Sequence, residues 1–208
     1  MFDNRNDRAI TEDKIADKID AKAMSLTIIH LNGQHYVYST RYPHERFGKF
    51  RPTDYSNDQP LEHREIMAHY DNATLYNDYV IETIIRKIED KDAILIYIPD
   101  HGEEIYDYRD YCGHGNAATS PDLKYQIDIP MFVWVSDKYK ESHKNQVSAL
   151  KNSVNKPISS YDISHFLVDL ADIKSSYLDP TRSFINDKYN TTRHRKILYS
   201  IDYDKDRR

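Results

Sequence analysis

Two unbroken apolar runs stand out along the chain, at 93–98 and at 129–135, and each stops abruptly at polar residues. Runs this short that are apolar on both faces read as strands of a sheet covered on both sides. A third run, Leu26–Thr27–Ile28–Ile29, has the same character and predicts another buried strand. Between 62 and 89 the period changes. Ile66, Tyr70, Ala73, Tyr76, Val80, Ile84 and Ile88 recur every three or four residues, which predicts a long amphipathic helix. A further helix is expected over 162–171, with Ile163, Phe166, Leu167 and Leu170 on one face and Ser159 or Ser160 near its cap. In the polar first 24 residues, Ile15 and Ile19 suggest a short helix within 10–24, capped by Thr11. The segment 42–61 is rich in Pro, Gly, Asp and Asn and reads as a long surface loop, and 196–203 offers one more strand. Buried strands alternating with helices predict an α/β layered fold around a mostly parallel sheet. Sites in such sheets form in crevices at the carboxyl ends of strands.

Composition narrows the picture. The 208 residues carry 29 basic and 34 acidic side chains, a formal net charge of −5, so no nucleic-acid surface is expected. The basic groups Arg193–His194–Arg195–Lys196 and Arg207–Arg208 read as solvated surface. With 39% hydrophobic residues and a mean hydropathy of −0.81, the chain is polar for a self-sufficient domain, which suggests that part of the natural core lies elsewhere. One cysteine, Cys112, excludes a disulfide framework. No run approaches the roughly 18 apolar residues of a membrane span, and the first residues have no signal-peptide character. Taken alone, the chain reads as soluble.

The candidate chemistry lies where the strands end. Asp100–His101–Gly102–Glu103–Glu104 directly follows the 93–98 run. A carboxylate and an imidazole side by side can bind one zinc ion, and Gly102 lets the chain turn without a side chain in the way. His30 and His35 follow the first apolar run, and His114 sits between Gly113 and Gly115, open on both sides to a ligand. Three loops could thus bring His35, Asp100, His101 and His114 to one rim of the sheet. His44, His63, His69, His143, His165 and His194 read as structural or solvent-facing.

Six ordered motifs carry a resemblance to phosphoethanolamine transferases of the alkaline-phosphatase and sulfatase superfamily. His30–Leu31–Asn32–Gly33–Gln34–His35 followed by Arg41–Tyr42–Pro43 resembles that family's His-x-x-Gly-x-His and Arg-Tyr-Pro segment. Residues 70–78 resemble its Tyr-x-Asn-x-x-x-Tyr-x-Asp helix, and Asp100–His101–Gly102–Glu103 its Asp-His-Gly-Glu zinc motif. Residues 129–136 resemble its Ile/Val-Pro-Met-x-x-Trp-x-Ser strand, and 161–165 a Ser-x-Asp-x-x-His helix start. The segments 177–183 and 201–204 are similar to the subgroup that modifies the heptose core of lipopolysaccharide, more than to the lipid A subgroup.

The resemblance implies an alkaline-phosphatase/sulfatase-like layered sandwich whose N-terminal portion is missing here, so that 1–208 forms the C-terminal portion of a catalytic domain behind a polar leader at 1–24. It implies a bacterial inner-membrane enzyme with a periplasmic catalytic domain, joined to the membrane through the missing part. Phosphoethanolamine would pass from phosphatidylethanolamine to a threonine and then to a lipopolysaccharide core sugar or lipid A. Asp100 and His101 would bind Zn²⁺, and His35 and His114 would hold the phosphoryl group or a second metal. The family's nucleophilic threonine and a glutamate ligand lie upstream of the first His motif, where only some 25 residues stand here. The isolated chain is therefore expected to be inactive. Two other readings fit the same residues: a sulfatase- or phosphodiesterase-type hydrolase, and a catalytically inactive truncated or split-gene product. Missing strands would leave exposed sheet edges.

Overall fold

A computed structural model describes residues 7–11, 25–115, 123–197 and 201–206. In chain order the elements are α1 (Arg8–Thr11), α2 (His44–Phe47), α3 (Leu61–Ile88), β1 (Ile94–Tyr97), β2 (Glu104–Ile105), β3 (Cys112–Gly113), α4 (Leu123–Ile127), β4 (Phe132–Val135), α5 (Asp137–Ser142), α6 (Lys144–Ser153), α7 (Ile163–Leu170), β5 (Lys196–Ile197), β6 (Ile201–Asp202) and α8 (Tyr203–Asp206). Mixed helix and strand in this order is the expected α/β class.

The 28 residues of α3 contain neither Gly nor Pro, and Pro60 stands just before the first turn. Glu62 in the first turn and Arg86 and Lys87 in the last complement the helix dipole. The predicted stripe is the one buried: Ala73, Tyr76, Val80 and Ile84 join Ile10, Tyr42 and Phe47 in one apolar cluster. A second cluster centres on Phe166, Leu170, Phe184 and Tyr189. Strand β1 lies between the two. Leu95 packs on the α3 side, while Ile94 and Ile96 pack on the α7 side with Val133 of β4. Successive strand residues point to opposite faces, so an unbroken apolar run is what a strand between two layers requires.

Ser136 closes the β1–β4 pair. Its N–H donates to the Ala93 carbonyl (3.0 Å) and its hydroxyl accepts from the Ala93 N–H (3.2 Å). The same hydroxyl accepts from Tyr139 N–H at 3.1 Å and so caps α5.

Several expectations are corrected in detail. The pairing of β1 with β4 is antiparallel, with Ile94 opposite Val135 and Tyr97 opposite Phe132, and the other two pairings among the described residues are antiparallel as well. Parallel neighbours need a crossover that returns the chain to the same end of the sheet. Here β4 instead runs back beside β1. The 26–29 run forms no strand. It has no ladder partner among the described residues, and Leu26 and Ile28 are 71% and 82% exposed, while Ile29 and Leu31 pack against the α3 cluster.

Thr11 ends α1 and donates its hydroxyl to the Arg8 carbonyl, while the rest of the expected 10–24 helix, which it was to cap, lies outside the described residues. The 42–61 loop contains α2 and is tied down by Asn72 of α3. The buried Asn72 amide oxygen accepts from the N–H groups of Lys49 and Phe50, and its nitrogen donates to the Phe50 carbonyl. The expected strand at 196–203 is a pair of two-residue strands running into α8. In the C-terminal layer the fully buried Asp162 carboxylate meets both Arg182 and Arg193, so its charge is compensated from both sides.

Phe166 is completely buried and stacks on Phe184 with ring centroids 4.2 Å apart. Phe166→Ala should lower the unfolding free energy by about 3–5 kcal/mol, read as a fall in the urea midpoint without a change of slope.

Candidate metal and phosphoryl centre

The chain leaves the sheet after Tyr97 and becomes polar at once through Asp100, His101 and Gly102. Gly102 runs against the backbone of α4, where its N–H donates to the Gln126 carbonyl at 2.7 Å. A Cβ on Gly102 would overlap the Tyr125 carbonyl oxygen, so this position takes glycine because two backbones meet there. Beyond it, β2 and β3 pair with Glu104 opposite Gly113 and Ile105 opposite Cys112. That register puts Glu103 opposite His114, on one face of the hairpin.

The side chains meet accordingly. His114 Nδ1 lies 2.7 Å from Glu103 Oε1, and the His101 and His114 rings are 3.7 Å apart. His101 Nδ1 sits 2.9 Å from the Gly102 carbonyl oxygen. A carbonyl oxygen only accepts, so the proton of neutral His101 lies on Nδ1 and its Nε2 carries the lone pair. Glu103, 7% exposed, accepts on its other oxygen from the Tyr38 hydroxyl at 2.7 Å. Burial first, then the bond to Glu103, pushes the Tyr38 phenol well above its ordinary range, so it stays a donor at working pH. Tyr38 also lies 3.6 Å from Cys112 Sγ, and burial pushes that thiol up.

The floor of the centre is equally polar. Glu104 is fully buried, with Arg109 Nε at 3.3 Å and Gln126 Nε2 at 3.4 Å on one oxygen, while Oε1 has no hydrogen-bond partner among the described residues. Gln126 in turn accepts from the Gly115 N–H at 2.9 Å, which fixes the backbone just past His114.

His101, Glu103 and His114 can each offer one ligand atom, all within 4.8 Å of one another. A nitrogen and oxygen donor set of this kind suits zinc. Of the residues expected from the sequence, the structure brings His101 and His114 together. His35 lies nearby on an exposed loop, its ring 6.5 Å from that of His114, with Arg41 donating to its carbonyl. Asp100 is 85% exposed, with Oδ1 3.0 Å from the His101 N–H and 3.8 Å from His101 Nε2. Glu103 and Tyr38 are not singled out by the sequence. Glu103 stands inside the Asp-His-Gly-Glu motif, but its role depends on the hairpin register. Tyr38 is one of 18 tyrosines and carries no local signal.

Six of the remaining histidines have other partners, beginning with His44, whose Nε2 meets the Ser39 carbonyl at 2.6 Å. His69 meets the Tyr42 hydroxyl, His63 stacks on Tyr106, His143 lies by Asp92, His165 is buried against Tyr177, and His194 pairs with Asp202.

The sulfatase family profile matches residues 4–173. The chain is 34% identical over 194 residues to phosphoethanolamine transferase EptC of Escherichia coli K12, covering 89% of this chain and 33% of that protein. It is 35% identical over 120 residues to the Kdo(2)-lipid A phosphoethanolamine 7''-transferase of the same strain, covering 58% of this chain and 21% of that one. The chain thus spans about a third of the length of the first of these relatives and less of the second. The C-terminal periplasmic domain of Escherichia coli EptC superposes with a TM-score of 0.81 at 29% identity, covering 98% of this chain and 59% of that domain. The zinc complex of that domain superposes at 0.77 with 30% identity, covering 93% of this chain and 56% of that one.

Gly102→Ala should separate the 100–104 turn from α4. The expected result is a loss of about 1–3 kcal/mol in stability, measured by urea unfolding.

Proposed function

Since the chain belongs to the sulfatase family, we propose that it forms the metal-binding part of a phosphoethanolamine transferase acting on lipopolysaccharide. What carries this reading is the pair His101 and His114, with ring centroids 3.7 Å apart just beyond β1, in a chain that aligns over 89% of its length with a named phosphoethanolamine transferase.

Asp100 and His101 would hold a zinc ion, with His114 and His35 facing the phosphoryl group. Bound zinc would supply Lewis-acid stabilisation of the phosphate charge and lower the pKa of an attacking hydroxyl. His101, with its proton on Nδ1, offers Nε2 as a ligand. His114, with Nδ1 turned to Glu103, offers Nε2 to an oxygen of the phosphoryl group and can pass or accept a proton there. The attacking hydroxyl would come from a threonine. Among the described residues no threonine or serine hydroxyl is hydrogen-bonded to His101, Glu103 or His114, so that group would be supplied by another segment. A covalent phosphothreonine divides one difficult transfer into two displacements.

The donor would be phosphatidylethanolamine and the acceptor a lipopolysaccharide core sugar or lipid A. The periplasmic origin of the structural neighbours supports the same compartment for this chain, with the catalytic domain held at the inner membrane. No helix among the described residues is long and apolar enough to cross a membrane, so attachment would lie in another segment.

His101→Ala in the full-length protein should abolish transfer, by about 10²-fold or more given the loss of a ligand. The readout is the mass of lipopolysaccharide from a host whose own transferases have been deleted. Unmodified lipopolysaccharide from the unaltered protein, with hydrolysis of a sulfate ester in its place, would overturn the transferase reading in favour of a sulfatase. Core oligosaccharide left unchanged while lipid A gains phosphoethanolamine would overturn the heptose-core assignment.

A further inference from the structure

We propose that Glu103 is a positioning residue for His114: clamped by Tyr38 on one oxygen, its carboxylate holds the imidazole by Nδ1 and turns Nε2 into the site. This rests on the reading that His114 faces the phosphoryl group, and it concerns how that imidazole is held.

Three observations carry it. First, the β2–β3 register places Glu103 opposite His114, so their contact comes from backbone pairing and not from a chance rotamer. Second, both carboxylate oxygens are already engaged, Oε1 with His114 Nδ1 and Oε2 with the Tyr38 hydroxyl, each at 2.7 Å. To serve as a metal ligand through Oε1, Glu103 would have to release the imidazole it now holds. Third, the clamp itself is rigid. Tyr38 is 2% exposed, and its ring stacks edge-on against Tyr36 and Tyr70, with centroids 5.5 and 5.2 Å away. A buried carboxylate that accepts from an imidazole N–H fixes both tautomer and ring orientation, and leaves the other nitrogen as the reactive one.

The two histidines of the centre are therefore held by different means. His101 leans on the backbone carbonyl of Gly102, which no side-chain substitution removes. His114 depends on one side chain and, through it, on Tyr38. A single substitution can release His114 and leave His101 in place.

The test compares Glu103→Ala with Glu103→Gln in the metal-free 208-residue chain, using ¹⁵N-labelled histidine and long-range ¹⁵N–¹H correlation spectra. In the unaltered chain His114 should carry its proton on Nδ1. Glu103→Ala should convert His114 to a tautomer mixture while His101 keeps its own signals. Glu103→Gln retains an acceptor oxygen and should restore the Nδ1–H form. In the full-length protein Glu103→Ala should lower kcat about 10- to 100-fold, with KM little changed and partial rescue by Glu103→Gln. An unchanged His114 tautomer in a folded Glu103→Ala chain would overturn the proposal. So would an equal loss of zinc affinity in both variants with the tautomer unaffected, which would make Glu103 a ligand. If Glu103→Ala does not fold, Tyr38→Phe applies the same test from the other end of the clamp: a shift of His114 toward a tautomer mixture is expected, and an unaltered tautomer in Tyr38→Phe would overturn the proposal. The expected tautomer changes alongside full activity in His114→Ala would uphold the positioning and sink the role assigned to His114.

Discussion

The structure depends on one constraint: β1 must be apolar on both sides, because it is the only strand packed between α3 and the α7 layer among the described residues. Leu95 answers to one layer, and Ile94 and Ile96 to the other. A side chain so placed must be apolar or, like Tyr97, have its polar atom met from a neighbouring layer, here by Asn77 of α3 at 3.0 Å. The change from Ile98 to Asp100 and His101 is therefore abrupt, and the polar residues come out together at a single edge of the core. The site is where the burial requirement ends.

The segment beyond β1 is held by backbone more than by side chains. Gly102 admits the carbonyl of α4, and the short β2–β3 pairing sets Glu103 against His114. Each hydrogen bond of this kind contributes only about 0.5–1.5 kcal/mol, too little to order a loop alone. Their effect is cumulative because they share partners. Gln126 accepts from Gly102 through its carbonyl and from Gly115 through its side chain, and so ties the approaches to His101 and His114 to one residue.

The sequence made legible those parts whose signal is periodic or contiguous. The α3 stripe, the two apolar runs that became β1 and β4, and the α7 face could be read directly because burial selects residue type at fixed spacing. Strand direction could not, since an apolar run looks the same whichever way its neighbour runs, and the antiparallel β1–β4 pair was missed for that reason. His101 and His114 stood out beside glycines at loop positions. Glu103 did not gain a role from sequence because its partner is eleven residues away and meets it only through the hairpin register. Tyr38 is further hidden: 65 residues separate it from Glu103, and nothing local marks one tyrosine among many.

The one apolar run that failed to become a strand is informative about the same rule. In 26–31, Ile29 and Leu31 found the α3 cluster and pack there, while Leu26 and Ile28 face solvent. Alternate residues thus behave as a strand would, one side in and one side out, without a ladder to join. The pattern predicts burial on both sides, and the described residues supply cover for only one. A run of this kind specifies its conformation through its neighbours. Among the described residues this run joins no hydrogen-bond ladder, and intrinsic preference alone is too weak to make a strand. Strand propensity read from sequence is therefore a statement about a packed sheet, and it holds only as far as that sheet extends.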